Sequence, residues 1–320
     1  MSKNKCCSSK VNPLVSVVVI TYNSSATVVE TLDSIKDQTY QNIELIISDD
    51  RSTDNTVQVC EEWLKENSGR FVHSEIVTTE VNTGVSGNLN RGIKASCGEW
   101  IKSIAGDDLL IPTAIEEYVK FIYEHTEDVK MCVSDVEPFS TNGPVPLSVK
   151  DAWKKFFQYS QESYIQQYRR VLRQLVFVGP TYFYRRELYN EVDGFSEEYG
   201  NAEEWPFVYK VLKRGDRIYA INKKLIYYRV SNTSLCHSQE NGLGNYRLFL
   251  STYKFFFDYP FKDLLKEHCY LIAWDLFLFY KVRKLRYMTH NSKWVDVVQK
   301  MVQFVNPYAY MRKMGLRIGI

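Results

Sequence analysis

Residues Gly98–Pro112, GEWIKSIAGDDLLIP, place a short apolar strand, Trp100–Ile104, directly before a glycine and two adjacent carboxylates, Asp107 and Asp108, and Pro112 then opens a new helix. Carboxylates at the carboxyl end of a buried strand stand at the edge where open α/β sheets bind their ligands. Two neighbouring acids repel each other and are costly to desolvate, so a divalent cation beside them accounts for the pair. The plainer alternative, in which one Asp caps the next helix and the other is solvated, suffices for an isolated pair. The flanking chain argues against it.

Upstream, Val15–Tyr22 (VSVVVITY) is almost continuously β-branched, the pattern of a strand buried on both faces. Asn23, Ser24 and Ser25 offer capping side chains, and Val28, Val29, Leu32 and Ile35 recur at helical spacing. A second strand, Ile43–Ile47, ends in SDDRSTD (Ser48–Asp54), and Val57, Cys60, Trp63 and Leu64 mark the helix after it. A third strand at Phe71–Val77 leads through Asn82-Thr83-Gly84 to a helix over Ser86–Ala95 and then to the central strand. Strand and helix alternate at βαβ spacing, which predicts a mostly parallel sheet flanked by helices. Thr21, Tyr22, Asn23, Asp49, Asp50, Asp107 and Asp108 therefore gather at one sheet edge, along which a nucleotide can lie. There is no GxxxxGK, and Gly84, Gly87 and Gly92 do not fit GxGxxG, so phosphate-loop and dinucleotide fingerprints are absent. Without a lysine-bearing cradle, a cation at the Asp pair becomes the partner for phosphate charge.

Taken together, Pro13–Asn23, Gln38–Tyr40, Glu44–Asp54, Asn82–Gly84, Asn90–Gly92 and Asp107–Pro112 resemble the N-terminal half of family 2 glycosyltransferases, inverting enzymes with the Rossmann-like GT-A fold. The resemblance implies that Thr21, Tyr22 and Asp50, with Asn23 beside them, contact the base of a nucleotide diphosphate sugar. It likewise implies that Asp107 meets Mn²⁺ or Mg²⁺, with Asp108 close behind. Two positions depart from the family pattern. Ala105 stands where the first Asp of Asp-x-Asp-Asp is usual, and Leu89 stands where an Arg is frequent, leaving Asn88 as a neutral donor toward the nucleotide.

Downstream, a helix from Pro112 to Tyr123 and a strand at Val129–Val136 complete a donor half, residues 13–140. The turn-rich Asn142–Pro146 separates it from an acceptor half, 147–240, in which Ile165, Tyr168, Leu172 and Leu175 give Trp153–Gln174 a core-facing helical stripe. Val192–Phe195 and Ala202–Gly215 again resemble the family, whose Gly-Gly-Phe step leads to a Glu-Asp pair on a helix; Asp193 replaces the first Gly and Glu204 stands at the Asp. Pro206 is tolerated only in a first helical turn, so Glu203 and Glu204 sit at a helix mouth, where acids are also favoured by the helix dipole alone. The resemblance makes Glu204 the general base, with Glu203 beside it. Leu225–Val230 resembles the family's Tyr-Arg-Val strand, with Ser231 where His is common. His237 follows as a candidate metal or phosphate contact, against an ordinary surface histidine.

The 320 residues are 45% hydrophobic and 24% charged, ordinary for a globular chain with disorder expected only over residues 1–12. A net charge of +2 gives no argument for nucleic acid. Seven cysteines without a CxxC pair read as reduced thiols, and the charged N-terminus has no apolar run of a signal peptide behind it. The longest apolar run, Leu271–Tyr280, is interrupted by Asp275 and falls short of the roughly 20 residues a bilayer span needs. Residues 241–320 are predicted as a helical appendage, with Phe- and Tyr-rich helices at Tyr246–Phe257, Leu264–Leu278 and Trp294–Val305. Basic clusters (Lys281, Arg283, Lys284, Arg286, then Arg312, Lys313, Arg317) suit packing with solvated charge or peripheral contact with anionic lipid.

The expected function is inverting transfer of a sugar from a nucleotide diphosphate sugar, UDP-linked first, to a hydroxyl of a glycan or lipid-linked glycan, in the cytoplasm or at the inner face of its membrane. A sugar-nucleotide pyrophosphorylase would want a Gly-rich, Arg-bearing loop where Asn23–Ala26 stands. A catalytically silent nucleotide-sugar-binding scaffold is the rival that Ala105 and Leu89 favour.

Overall fold

The computed structural model describes residues 12–125, 128–140, 145, 158, 161–175, 179–200, 202–230, 245–290, 292–304 and 306–308. Its centre is an eight-stranded sheet in the order β3-β2-β1-β4-β7-β6-β8-β5. The strands are β1 (Val15–Thr21), β2 (Ile43–Asp49), β3 (His73–Val77), β4 (Trp100–Ala105), β5 (Leu109–Leu110), β6 (Met131–Phe139), β7 (Phe183–Arg185) and β8 (Tyr219–Arg229). From β3 to β4 all pairs are parallel. Antiparallel β7 then joins β4 to β6, β8 runs parallel to β6, and β5 closes the edge antiparallel to β8. The sheet is thus parallel from β3 to β4 and mixed from β7 to β5.

Every residue of β2 is buried and only Ile20 of β1 is partly open, as a strand covered on both faces requires. The two-residue side-chain period divides them: Val17, Val19, Leu45 and Ile47 meet α1 (Val28–Lys36) and α2 (Thr56–Asn67) through Leu32, Ile35, Cys60 and Trp63. On the opposite face, Val18 and Ile46 meet α3 (Gly84–Ala95) through Leu89 and Ile93. Gly92 lets α3 lie against the sheet, since a Cβ there would stand 2.5 Å from Val18 Cγ1. The far, amino-terminal ends of the strands are tied by buried Glu44, which accepts from the Ser16 hydroxyl at 2.5 Å and the Cys97 amide at 2.8 Å.

Helix α4 (Ala114–Glu124) follows β5, and α5 (Tyr164–Val171) begins with a capping box between Ser163 and Gln166. Of the predicted stripe over Trp153–Gln174, residues 153–157 and 159–160 lie outside the described residues; within the rest, Leu172 is buried just past α5 as expected, whereas Ile165 is exposed and does not face the core. Helices α6 (Arg186–Glu191) and α7 (Glu204–Lys213) lie between β7 and β8 in the chain. The C-terminal region is helical, in α8 (Tyr246–Asp258), α9 (Pro260–Lys266), α10 (Tyr270–Met288) and α11 (Trp294–Phe304). Phe255, Phe256, Ile272 and Tyr280 share one core with Trp205 and Tyr199 of the acceptor half.

Three local expectations change. The helix foreseen at Leu264–Leu278 is two helices, because His268 turns the chain with φ +58°. Asn23, at φ +52°, shapes a turn instead of capping α1, whose N-cap is Thr27. The turn at Asn142–Pro146, apart from Val145, lies outside the described residues, as do residues 1–11. Among the described residues no helix is long and apolar enough to cross a membrane.

Candidate active site

The carboxyl ends of β1, β2 and β4 meet at one edge, and their loops are cross-braced. The Thr21 hydroxyl donates to Asp49 Oδ1 at 2.8 Å, and Asp49 also accepts from the Ser52 amide at 2.8 Å. Asn23 Oδ1 accepts from the Thr53 amide at 2.8 Å, while the Asn23 amide donates to the Ser52 hydroxyl at 2.8 Å. Tyr22, between these braced residues, is 52% exposed at the rim.

Asp50 turns toward the N-terminus of α3. Its carboxylate accepts from the Thr83 hydroxyl at 2.6 Å, the Thr83 amide at 3.0 Å, the Gly84 amide at 2.7 Å and Arg91 Nη2 at 3.2 Å. A carboxylate on the first amides of a helix is favoured by the helix dipole and by otherwise unpaired donors. Asn88 is equally engaged: its side-chain amide donates to the Thr21 carbonyl at 3.1 Å, and its Oδ1 accepts from Arg91 Nη2 at 2.8 Å. Arg91 is a residue the sequence reading passed over. Quoted there only as the middle of Asn90–Gly92, it puts a guanidinium on Asp50 despite Leu89 at the family's usual Arg position.

Asp107 and Asp108 lie in the turn between β4 and β5, with Asp108 buried and Asp107 partly open. Arg229, at the end of β8, holds this turn from the acceptor side. Its amide donates to Asp108 Oδ1 at 2.8 Å, its Nε to the Asp107 carbonyl at 2.8 Å and its Nη2 to Glu30 at 2.8 Å. The guanidinium also lies 4.6 Å from the Phe139 ring centroid. Arg229 carries a signal in the Tyr-Arg-Val strand, but its reach to the Asp pair is a tertiary fact. Burial raises both carboxyls above the usual range, Asp108 well above it with the Asp107 charge as second cause; Arg229 partly offsets the rise at Asp107.

Such a pair fits a divalent cation that offsets the repulsion. Among the described residues no group of three or more His, Cys, Asp or Glu could hold a metal. The fit is accordingly that of Mg²⁺ or Mn²⁺ carried on one or two carboxylates, with substrate phosphates and water supplying the other ligands. His237 lies outside the described residues.

Glu203 and Glu204 stand at the mouth of α7, as Pro206 requires. Glu204 Oε1 accepts from the Gly179 amide at 2.5 Å. Glu203 Oε2 is buried with no hydrogen-bond partner. Desolvation pushes Glu204 up to about 7, with the Gly179 amide pulling the other way, and pushes Glu203 up to about 8, with the Glu204 charge adding to the rise. The helix dipole thus loses to burial, a contest the sequence leaves open. Gly179 opens the short turn Gly179–Thr181, and the Pro180 carbonyl next to it accepts from Lys102 of β4. Lys102 was also passed over; burial pulls its ammonium down to about 7 while the Asp108 charge opposes that shift.

Among solved structures, residues 1–349 of Staphylococcus aureus TarS in complex with UDP-GlcNAc superpose with a TM-score of 0.63 at 18% identity, covering 95% of this chain and 93% of that one. The Pyrobaculum calidifontis mannosyltransferase PcManGT, in complex with GDP-Man and Mn²⁺, gives a TM-score of 0.59 at 18% identity, covering 95% and 84%. These likenesses establish the GT-A fold. In sequence, the chain is 26% identical to the glycosyltransferase EpsJ of Bacillus subtilis over 70% of its own length and 63% of the relative's. It is 28% identical to S. aureus TarS, a poly(ribitol-phosphate) β-N-acetylglucosaminyltransferase, over 67% of its own length and 35% of the relative's. The glycosyltransferase GlyG of Streptococcus pneumoniae is 37% identical over 36% of this chain and 37% of that one, so the chain spans less than two thirds of the length of each of these relatives. A family model described as glycosyl transferase family 2 matches residues 16–193, more than half of the chain, and the chain belongs to that family.

Proposed function

We propose that the protein is an inverting glycosyltransferase that moves a sugar from a nucleotide diphosphate sugar to a hydroxyl of a glycan acceptor. The observation that carries the reading is the Glu204 carboxyl: partly buried, held by one amide, and raised to about 7 by desolvation, it can take a proton near neutral pH. A general base in that range commonly contributes roughly 10²–10⁴ in rate. The acceptor hydroxyl gives its proton to Glu204 as its oxygen attacks the anomeric carbon, and the nucleoside diphosphate leaves from the opposite face. One base and one displacement invert the anomeric centre. Glu203 sits beside the base, and the Glu204 charge adds to the burial that keeps Glu203 protonated.

On the donor side the nucleotide lies along the braced edge, its base against Tyr22, with Thr21, Asn23, Asp50 and Asn88 shaping the floor. Asp107, backed by Asp108, would hold Mn²⁺ or Mg²⁺, which when bound offsets charge on the leaving diphosphate. TarS and PcManGT make UDP-GlcNAc and GDP-Man the first donors to test. A lipid-linked acceptor at the cytoplasmic membrane face is the finer reading. It is supported by exposed Trp274, Phe279, Trp294 and Met301 on α10 and α11, with exposed Lys293 just before α11 and Lys300 on it.

The test is release of nucleoside diphosphate from each donor with Mn²⁺ or Mg²⁺, in wild type and Glu204→Gln. The variant should keep donor binding and lose at least about a hundredfold in turnover. Near-normal turnover would remove Glu204 from the mechanism, and no release with any donor and glycan acceptor would favour the binding scaffold.

A further inference from the structure

Lys102 lies in the middle of β4 with 0% of its surface exposed, where a charged ammonium persists only if its donors are satisfied. All three find backbone carbonyls: Ser103 at 3.0 Å, Tyr182 at 3.3 Å, and Pro180. The Tyr118 hydroxyl of α4 donates to the intervening Thr181 carbonyl at 3.0 Å, so three consecutive carbonyls are held, the outer two from β4 and the middle one from α4. The amide at the head of that turn, Gly179, is spent on Glu204 Oε1 at 2.5 Å. The fit there has little slack, because a Cβ on Gly179 would stand 2.8 Å from the same oxygen. Beyond Lys102 the strand continues directly into the turn bearing Asp107 and Asp108.

We propose that Lys102 is a positioning residue: by anchoring the Pro180 and Tyr182 carbonyls it sets where the Gly179 amide meets Glu204, and so fixes the base relative to the aspartate pair borne by its own strand. This rests on the reading of Glu204 as general base. A lysine serving stability alone would change how much enzyme is folded. It would not change the chemistry of the folded fraction. A positioning lysine changes three things together: turnover per folded enzyme, the pH at which the base loses its proton, and the coupling to Glu204. The charged and titratable groups facing Glu204 are Glu203 on its own helix and Tyr182 from β7's approach, and neither is altered by changing Lys102.

The experiment uses the full chain and the donor identified by the release assay, with UDP plus Mn²⁺ as the binding probe. Lys102→Met should lower kcat by about 30-fold or more, leave UDP affinity within about threefold, and move the acid limb of the kcat profile upward, since the Gly179 amide lowers the Glu204 pKa. In a Glu204→Gln background the same change should cost less than about threefold, because two residues acting through one step are not additive. If Glu204→Gln alone is near normal, the base reading fails and takes this proposal with it. If Glu204→Gln is crippled but Lys102→Met costs an equal factor in both backgrounds, or leaves the acid limb in place, only the positioning role is overturned. Should Lys102→Met fail to fold, Gly179→Ala disturbs the same link from its other end. It should give the same loss of kcat at unchanged UDP affinity, and wild-type kcat in that variant overturns the proposal.

Discussion

The Gly179 amide reaches Glu204 Oε1 at 2.5 Å, whereas Glu203 Oε2, one residue earlier, is buried without a partner. The two carboxyls are therefore unequal in their contacts: burial raises both, Glu204 to about 7 with its amide donor opposing the rise. Turnover that requires ionised Glu204 should fall tenfold per pH unit below that value, giving kcat an acid limb near pH 7. Because Glu204 owes its rise to burial, Glu203→Gln should leave the limb in place. A rate profile in the presence of saturating donor checks this, and an upward shift in Glu203→Gln would count against the assignment.

Stability should respond to the same pair. Both carboxyls have folded-state values above the ordinary 4.5, so the folded state holds more protons than the unfolded chain between those values. Their stabilising, protonated form is fully present below the unfolded value and is lost as pH rises through about 7 to about 8. Lys102, lowered to about 7, contributes in the opposite sense above that pH, so the raised acids act alone from about 5 to about 7, with Asp107 and Asp108 adding in the same sense as the Glu pair. Across it the melting temperature of the ligand-free protein should fall, and the double variant Glu203→Gln with Glu204→Gln should flatten the slope. An unchanged slope would place the proton uptake elsewhere, with Asp107 and Asp108 next in line.

What could be read from the chain follows the length scale of each interaction. The parallel half was legible because β1 and β2 are written as mainly apolar, β-branched-rich runs and each is followed by its own helix, a pattern carried by neighbours in sequence. The gathering of Asp50, Asp107 and Asp108 at one edge follows from that alternation alone. The roles of Arg229 and Lys102 do not. Arg229 reaches Asp108 across 121 positions and Lys102 reaches Pro180 across 78, so the Tyr-Arg-Val strand flags Arg229 without its contact and nothing local marks Lys102. Asp50 shows the converse: its place was legible, but that its oxygens are filled by Thr83, Gly84 and Arg91 depends on how α3 docks.

The Asp107–Asp108 turn supplies a third test. Asp108 is buried and fixed by the Arg229 amide, while Asp107 is the more open carboxylate. Asp107→Asn should weaken UDP binding in the presence of Mn²⁺ by about tenfold or more, with little effect on UDP binding without metal, because the lost charge acts through the cation. Calorimetric titration of UDP with and without Mn²⁺ separates the two. Equal losses in both would move the cation site away from Asp107.

The C-terminal helices supply the last. Their inner aromatic faces are committed to the core, with Phe256 and Tyr280 stacked at 4.5 Å and Trp205 against Phe255 at 5.3 Å. Part of the basic charge is likewise committed, Lys281 lying over Phe257 and Phe277 and Arg286 pairing with Asp296. The outward residues are different: Trp274 is 48% exposed, Trp294 49% and Met301 64%, and exposed Lys293 and Lys300 lie on or next to the helix that bears the last two. Exposed tryptophan with neighbouring lysine suits the interface of an anionic bilayer, where each basic residue near the surface adds about 1 kcal/mol. The protein should therefore co-sediment with phosphatidylglycerol vesicles and not with phosphatidylcholine vesicles, and salt should weaken the binding. Trp274→Ser with Trp294→Ser should abolish it while leaving nucleoside diphosphate release from a water-soluble acceptor unchanged. Equal binding to both vesicle types, or none to either, would leave these helices with packing alone.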